Sequence, residues 1–147
     1  MTDETRYAGP LAISEAKSKL VLTPLADDRF QREGLRANVE YRDLGFSGAT
    51  GGRIGAKHVR AIRPFEKETG WHWHDMTAHF VYVLKGWVKF RFDGVDGVVT
   101  VESGTCICQP AGVPHNVIGQ SDDLELIEIN MPANYATLPF AGNGAPA

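Results

Sequence analysis

No apolar run in this 147-residue sequence approaches the roughly 20 residues that span a bilayer, and a membrane partner is not expected. Lysine and arginine form no cluster and the net charge is −3, so nothing calls for nucleic acid as a partner. There are only two cysteines, set as Cys106-Ile107-Cys108. That spacing is neither a disulfide framework nor the C-x-x-C redox arrangement. On a strand both thiols would share one face, and free cysteine is usually buried, so both are expected in the core. A reducing, cytoplasmic setting follows from the same usage. The opening residues, Met1 to Arg6, are polar and acidic, which reads against a secretory leader. A long amphipathic helix is also missing.

What is present is a succession of short apolar segments separated by turns. With 43% hydrophobic and 22% charged residues, the composition is that of one globular domain large enough for a substantial core. Leu35, Ala37, Val39 and Tyr41 alternate with Arg36, Asn38, Glu40 and Arg42, the period of a half-buried strand. The run 45–55 holds five glycines but lacks the lysine and following helix of a phosphate cradle, so it reads as a loop. Strands are expected over 54–62 and 79–84, the second buried on both faces because β-branched and aromatic residues run through it. Val88, Phe90 and Phe92 share one face of the next segment, and 93–97 carries two Asp/Gly hairpin signals. Further strands are expected over 98–101, 105–109, 116–118 and 124–131. This pattern predicts an all-β sandwich or barrel over residues 35–133. Residues 1–34, with one candidate helical turn at 14–19, read as an arm lying across the body or a neighbouring subunit. Residues 134–147 read as a tail.

Three of the five histidines fall within 72–79, in the stretch Trp71-His72-Trp73-His74-Asp75-Met76-Thr77-Ala78-His79. On a strand, His72 and His74 project from one face and Trp71 and Trp73 from the other. Neutral imidazoles gathered this way supply most of a metal's coordination shell. The competing reading is a surface histidine patch that holds nothing.

The stretch and its downstream partners resemble the cupins, small β-barrels marked by the motifs G-x5-H-x-H-x4-E-x6-G and G-x5-P-x-G-x2-H-x3-N. His72, His74 and Gly86 meet the first motif, while Gly104, Pro110, Gly112 and His115 meet the second. Glu66 stands where the opening glycine belongs, Gly119 where the last asparagine does, and His79 takes the glutamate position. The resemblance implies a single-domain, jelly-roll-like barrel of two packed antiparallel sheets. It also implies a divalent metal on His72, His74, His79 and His115. Two alternatives stay open, a three-histidine site from which His79 turns aside and a protein without a functional metal.

An all-imidazole shell neutralises none of the ion's charge and suits Fe²⁺, Zn²⁺, Ni²⁺ or Cu²⁺, with Fe²⁺ favoured. The resemblance further implies a metal-dependent dioxygenase-type oxidoreductase acting on a small organic substrate. The alternatives are a non-redox isomerase, lyase or cyclase, and a ligand-binding barrel with no activity. A homodimer is the family's usual assembly. Val81 and Val83 share the parity of His79, and Val117 that of His115; with Phe90 they are expected to line an apolar substrate pocket. Glu128, between Ile127 and Ile129, is the candidate general base, although an outward, solvated position suits a lone glutamate better. His58, outside both motifs, reads as an ordinary strand residue.

Overall fold

The structure, a computed structural model, describes residues 17–32 and 36–141. Leu35, positions 14–16 of the candidate helical turn and the 142–147 end of the expected tail lie outside them. The first strands are β1 (Phe30–Gln31) and β2 (Val39–Asp43), followed by one helical turn, α1 (Phe46–Ala49), and β3 (Gly55–Ala61). Next come β4 (His72–His74), β5 (Ala78–Lys85), β6 (Trp87–Phe92), β7 (Val99–Glu102) and β8 (Cys106–Gln109). Then β9 (His115–Gln120), β10 (Glu125–Met131) and β11 (Thr137–Pro139) follow. They form a six-stranded sheet ordered β1-β2-β3-β10-β5-β8 and a five-stranded sheet ordered β11-β4-β9-β6-β7. Neighbouring strands pair antiparallel throughout. This is the all-β architecture of two packed sheets that the strand pattern predicts.

The core lies between the sheets. Val39, Val59, Val81, Val83 and Leu126 meet Val88, Phe90, Phe92, Val101 and Val117. Each such side chain contributes about 1.5–3 kcal/mol on burial. Only one face of each strand can meet the opposite sheet, and that corrects two expectations. β5 buries His79, Val81 and Val83 but leaves Tyr82 and Leu84 38% and 44% exposed, so it is not buried on both faces. In β8, Gln109 is buried and Ile107 packs against the core, which turns Cys106 and Cys108 outward, both exposed. The described residues supply no helical layer to cover that side.

Parts of the expected arm and tail belong to the sheets. Phe30 pairs with Arg42 across β1 and β2, and the Arg60 guanidinium lies 3.6 Å above the Phe30 ring. Arg42, 7% exposed, donates through Nη1 to the carbonyls of Thr23 and Pro24 and so straps the arm to the outer face. His58 belongs to the same outer layer, between Arg42 Nη2 at 3.3 Å and Glu125 Oε1 at 3.2 Å, the ordinary strand role expected of it. At the other end, β11 pairs with β4, setting Thr137 opposite His74 and Pro139 opposite His72. Trp71 packs near Phe140, with ring centroids 6.5 Å apart. No helix among the described residues is long and apolar enough to cross a membrane.

Gly86 joins β5 to β6 with φ +75, and a Cβ built there would lie 2.0 Å from Ser121 Oγ and 2.7 Å from Asp123 Oδ1. Backbone conformation and close approach both demand glycine. Gly94 has φ +77 but open space around it. Gly86→Ala is therefore expected to lower unfolding stability by about 2–4 kcal/mol and Gly94→Ala by about 1 kcal/mol. Urea denaturation of the two variants checks the difference.

Candidate metal centre

Three of the four expected histidines come from one sheet. His72 and His74 share a face of β4, their ring centroids 5.0 Å apart, and the β4–β9 register sets His115 directly opposite His72 at 4.5 Å. His74 and His115 are 5.0 Å apart. One nitrogen from each of these three residues lies within 4.8 Å of the others, a spacing that can hold a metal ion.

The opposite edges of the rings are held. His72 Nδ1 lies 2.8 Å from the Gly70 carbonyl, and His115 Nδ1 lies 3.1 Å from that of Val113. A carbonyl only accepts, so each Nδ1 carries the proton and each Nε2 keeps its lone pair for the centre. His74 Nδ1 meets the Thr137 hydroxyl at 2.7 Å, a contact provided by β11. Such outer partners fix ring orientation and tautomer in metal sites, so the donor set fits a divalent transition metal.

His79 stands apart from this group. It projects from β5 in the other sheet, with ring centroids 5.5 Å from His74 and 6.5 Å from His115. Its Nε2 faces Glu128 Oε2 at 3.6 Å. Glu128 thus points inward from β10, contrary to the outward position that suits a lone glutamate. The parity of Leu126 and Asn130, both buried, carries it there. Burial alone would raise its carboxyl, but His79, with His74 and Lys57 behind it, outweighs that and holds it well below the usual carboxylate range.

A cavity of about 240 Å³ opens onto the triad and includes His79, Glu128, Val81, Phe90 and Val117 in its lining. Val83 is fully buried in the core and does not line it, because the interior has closed by that level of β5. Arg36, Lys57, Gln109, Tyr135 and Thr137 are among the lining residues that the sequence reading misses. Gln109 shares the inward face of Ile107 on β8, and expecting Cys106 and Cys108 in the core turned that face outward. The alternation over 35–42 sets Arg36 on the polar face of a strand, but β2 begins only at Val39 and that parity does not hold for it, while Thr137 and Tyr135 lie in the stretch read as a tail.

Burial pushes the rings toward the neutral form. His74 is lowered from 6.5 to about 3 by burial and by His115, His79 and His72, and His115 is lowered to about 4, mainly by burial. His72 moves the same way, again through burial. Because the folded values lie below the unfolded ones, the stabilising contribution is whole above pH 6.5 and is lost as pH falls toward about 4 and then 3. Metal-free protein is expected to lose up to about 1.4 kcal/mol per pH unit for each histidine titrating in that window. Urea unfolding from pH 7 to pH 4 checks this, and His115→Asn should flatten the curve.

The sequence matches the family described as Cupin domain over residues 59–130. Among solved structures, the polyketide cyclase RemF from Streptomyces resistomycificus is similar at TM-score 0.63 and 18% identity, covering 86% of this chain and 90% of that one. KdgF from Halomonas sp. is similar at TM-score 0.56 and 16% identity, over 74% and 94% of the two chains. Oxalate decarboxylase from Bacillus subtilis is similar at TM-score 0.51 and 22% identity, over 69% of this chain and 27% of that one. No curated protein sequence matches the chain. At these identities the structural likeness is one of fold. Motif spacing, sheet topology and the match over 59–130 agree, and the chain belongs to the cupin superfamily.

Proposed function

We propose that this protein is a metal-dependent enzyme that holds a divalent transition metal on His72, His74 and His115 and moves protons on a small organic substrate through Glu128 and His79. The chemistry would be a non-redox isomerisation, elimination or cyclisation. The observation that carries this reading is the pairing of Glu128 Oε2 with His79 Nε2, 3.6 Å apart, in the cavity beside the triad. When bound, the metal supplies Lewis-acid polarisation of a substrate oxygen. Glu128, held as the carboxylate, accepts a proton from substrate in the cavity. His79 stands behind it to stabilise either protonation state. Val81, Phe90 and Val117 exclude water from the apolar part of the substrate. A polyketide cyclase has the same fold, which is compatible with cyclisation and does not select it.

A dioxygenase is the second reading, with Fe²⁺ the favoured metal. Its support is the donor set: three neutral imidazoles without a carboxylate suit Fe²⁺, Zn²⁺, Ni²⁺ or Cu²⁺ and leave coordination positions open. Oxygen uptake that depends on ferrous loading would select it over the proton-transfer reading. The homodimer belongs to the proposal as well, supported by the apolar arm residues Leu20, Leu22 and Leu25, which are 90%, 83% and 66% exposed. Removing residues 1–25 is expected to shift the mass measured by light scattering from dimer to monomer.

Elemental analysis of protein grown with mixed metals tests the ligand set. His72→Ala, His74→Ala and His115→Ala are expected to lose bound metal, whereas His79→Ala retains it. Loss of metal in His79→Ala would favour four ligands instead. Once a substrate is in hand, Glu128→Gln should retain metal and lower turnover by about 10²–10⁴-fold.

A further inference from the structure

Arg36 brings a cation with an open hydrogen-bonding edge to the wall of the same cavity, where Glu128 and Tyr41 act on its charge from a distance. Its Nε and Nη2 are both buried, and neither has a hydrogen-bond partner among the described residues. Those two nitrogens share one edge of the guanidinium, the edge that grips a carboxylate through two parallel N–H···O bonds. A buried charge left this way weakens the fold rather than supporting it. Burial draws its pKa below the ordinary value, which is the same cost seen from the proton's side.

Other unsatisfied atoms gather around the same space. Gln109 Oε1 and His79 Nε2 are buried without hydrogen bonds among the described residues, and both residues line the cavity. With neutral histidines the lining holds two cations, Arg36 and Lys57, against the single carboxylate of Glu128. At about 240 Å³ the cavity falls below the roughly 300–1,000 Å³ common for drug-sized ligands, so its occupant is small.

We infer that Arg36 is the anchor for the carboxylate of a small carboxylic acid, whose neighbouring oxygen function then faces the histidine triad. The second half of that statement rests on the metal reading above; the first half does not. The ligand would satisfy the open edge of Arg36, and the positive cavity would reject the uncharged amide of the same size. Glu128, fixed in the same wall, would be left beside the carbon next to the anchored carboxylate.

Calorimetric titration of the full chain, metal-free and metal-loaded, tests this with two pairs of probes: pyruvate against pyruvamide, and glycolate against glycolamide. In at least one pair the metal-free protein should bind the acid at least tenfold more tightly than the amide. Arg36→Met should abolish that preference, and Arg36→Lys should recover part of it. Arg36→Met without ligand should melt no lower than the wild type, because the guanidinium makes no partnered contact through this edge. Equal affinity for acid and amide in both pairs would overturn the inference. So would tighter binding of inorganic phosphate than of either acid, or an unchanged preference in Arg36→Met. An Arg36→Met protein that melts several degrees lower or does not fold would assign the arginine a structural role instead. Metal content measured on the same samples separates the two ideas. Absent metal with the preference intact defeats the metal reading alone, whereas lost preference at full metal content defeats the anchor alone.

Discussion

The pairing of β4 with β9 sets His72 opposite His115, and the rest of the centre is built outward from that register. A slip of one residue would turn Trp73 toward the interior and carry His72 and His74 to the outer face. β4 has only three residues, so it cannot hold its own position. Two flanks hold it. β9 supplies His115 on one side, and β11 lies along the other with Thr137 opposite His74. The backbone carbonyls of Gly70 and Val113 then orient the rings. Strand order therefore does for this centre what covalent spacing does in a compact metal loop.

The opposite sheet contributes a different kind of group. His79, Glu128, Val81 and Lys57 line the cavity from β5, β10 and β3, where Glu128 lies across from Val81 on one side and Lys57 on the other. One wall is thus a set of neutral donors with lone pairs turned inward. The other carries the fixed charges. In a narrow space, that division lets charge be neutralised on one side without disturbing the donors on the other.

Much of this could be read from the sequence. The i, i+2 spacing of His72 and His74, with His115 following Pro110 and Gly112 at family intervals, is visible without coordinates. Those residues do converge. The role of His79 was less legible. Spacing gives its position in the first motif but not which sheet the β4–β5 turn delivers it to. Glu128 was obscured by its neighbours: Ile127 and Ile129 are both apolar, so alternation does not say which face is inward. Cys106 and Cys108 misled in the opposite way, since a residue type that is usually buried sits on a face that the described residues do not cover. Thr137 carried no signal, because it lies in a stretch rich in alanine and proline, and Arg36 carried a misleading one, because the alternation over 35–42 set it on a polar face although β2 begins only at Val39.

The placement of β11 has a consequence in time. Its Thr137 holds His74 from a strand that lies 63 residues further along the chain. His115 likewise follows His72 only after four intervening strands. During synthesis, His72, His74 and His79 leave the ribosome well before the residues that orient and complete the cluster. A partial chain presents loose imidazoles, able to associate with whatever ion is at hand, but not the fixed arrangement. The arrangement that could hold a metal therefore exists only once the last strand docks, and it is a property of the finished barrel rather than of the histidine-rich stretch itself.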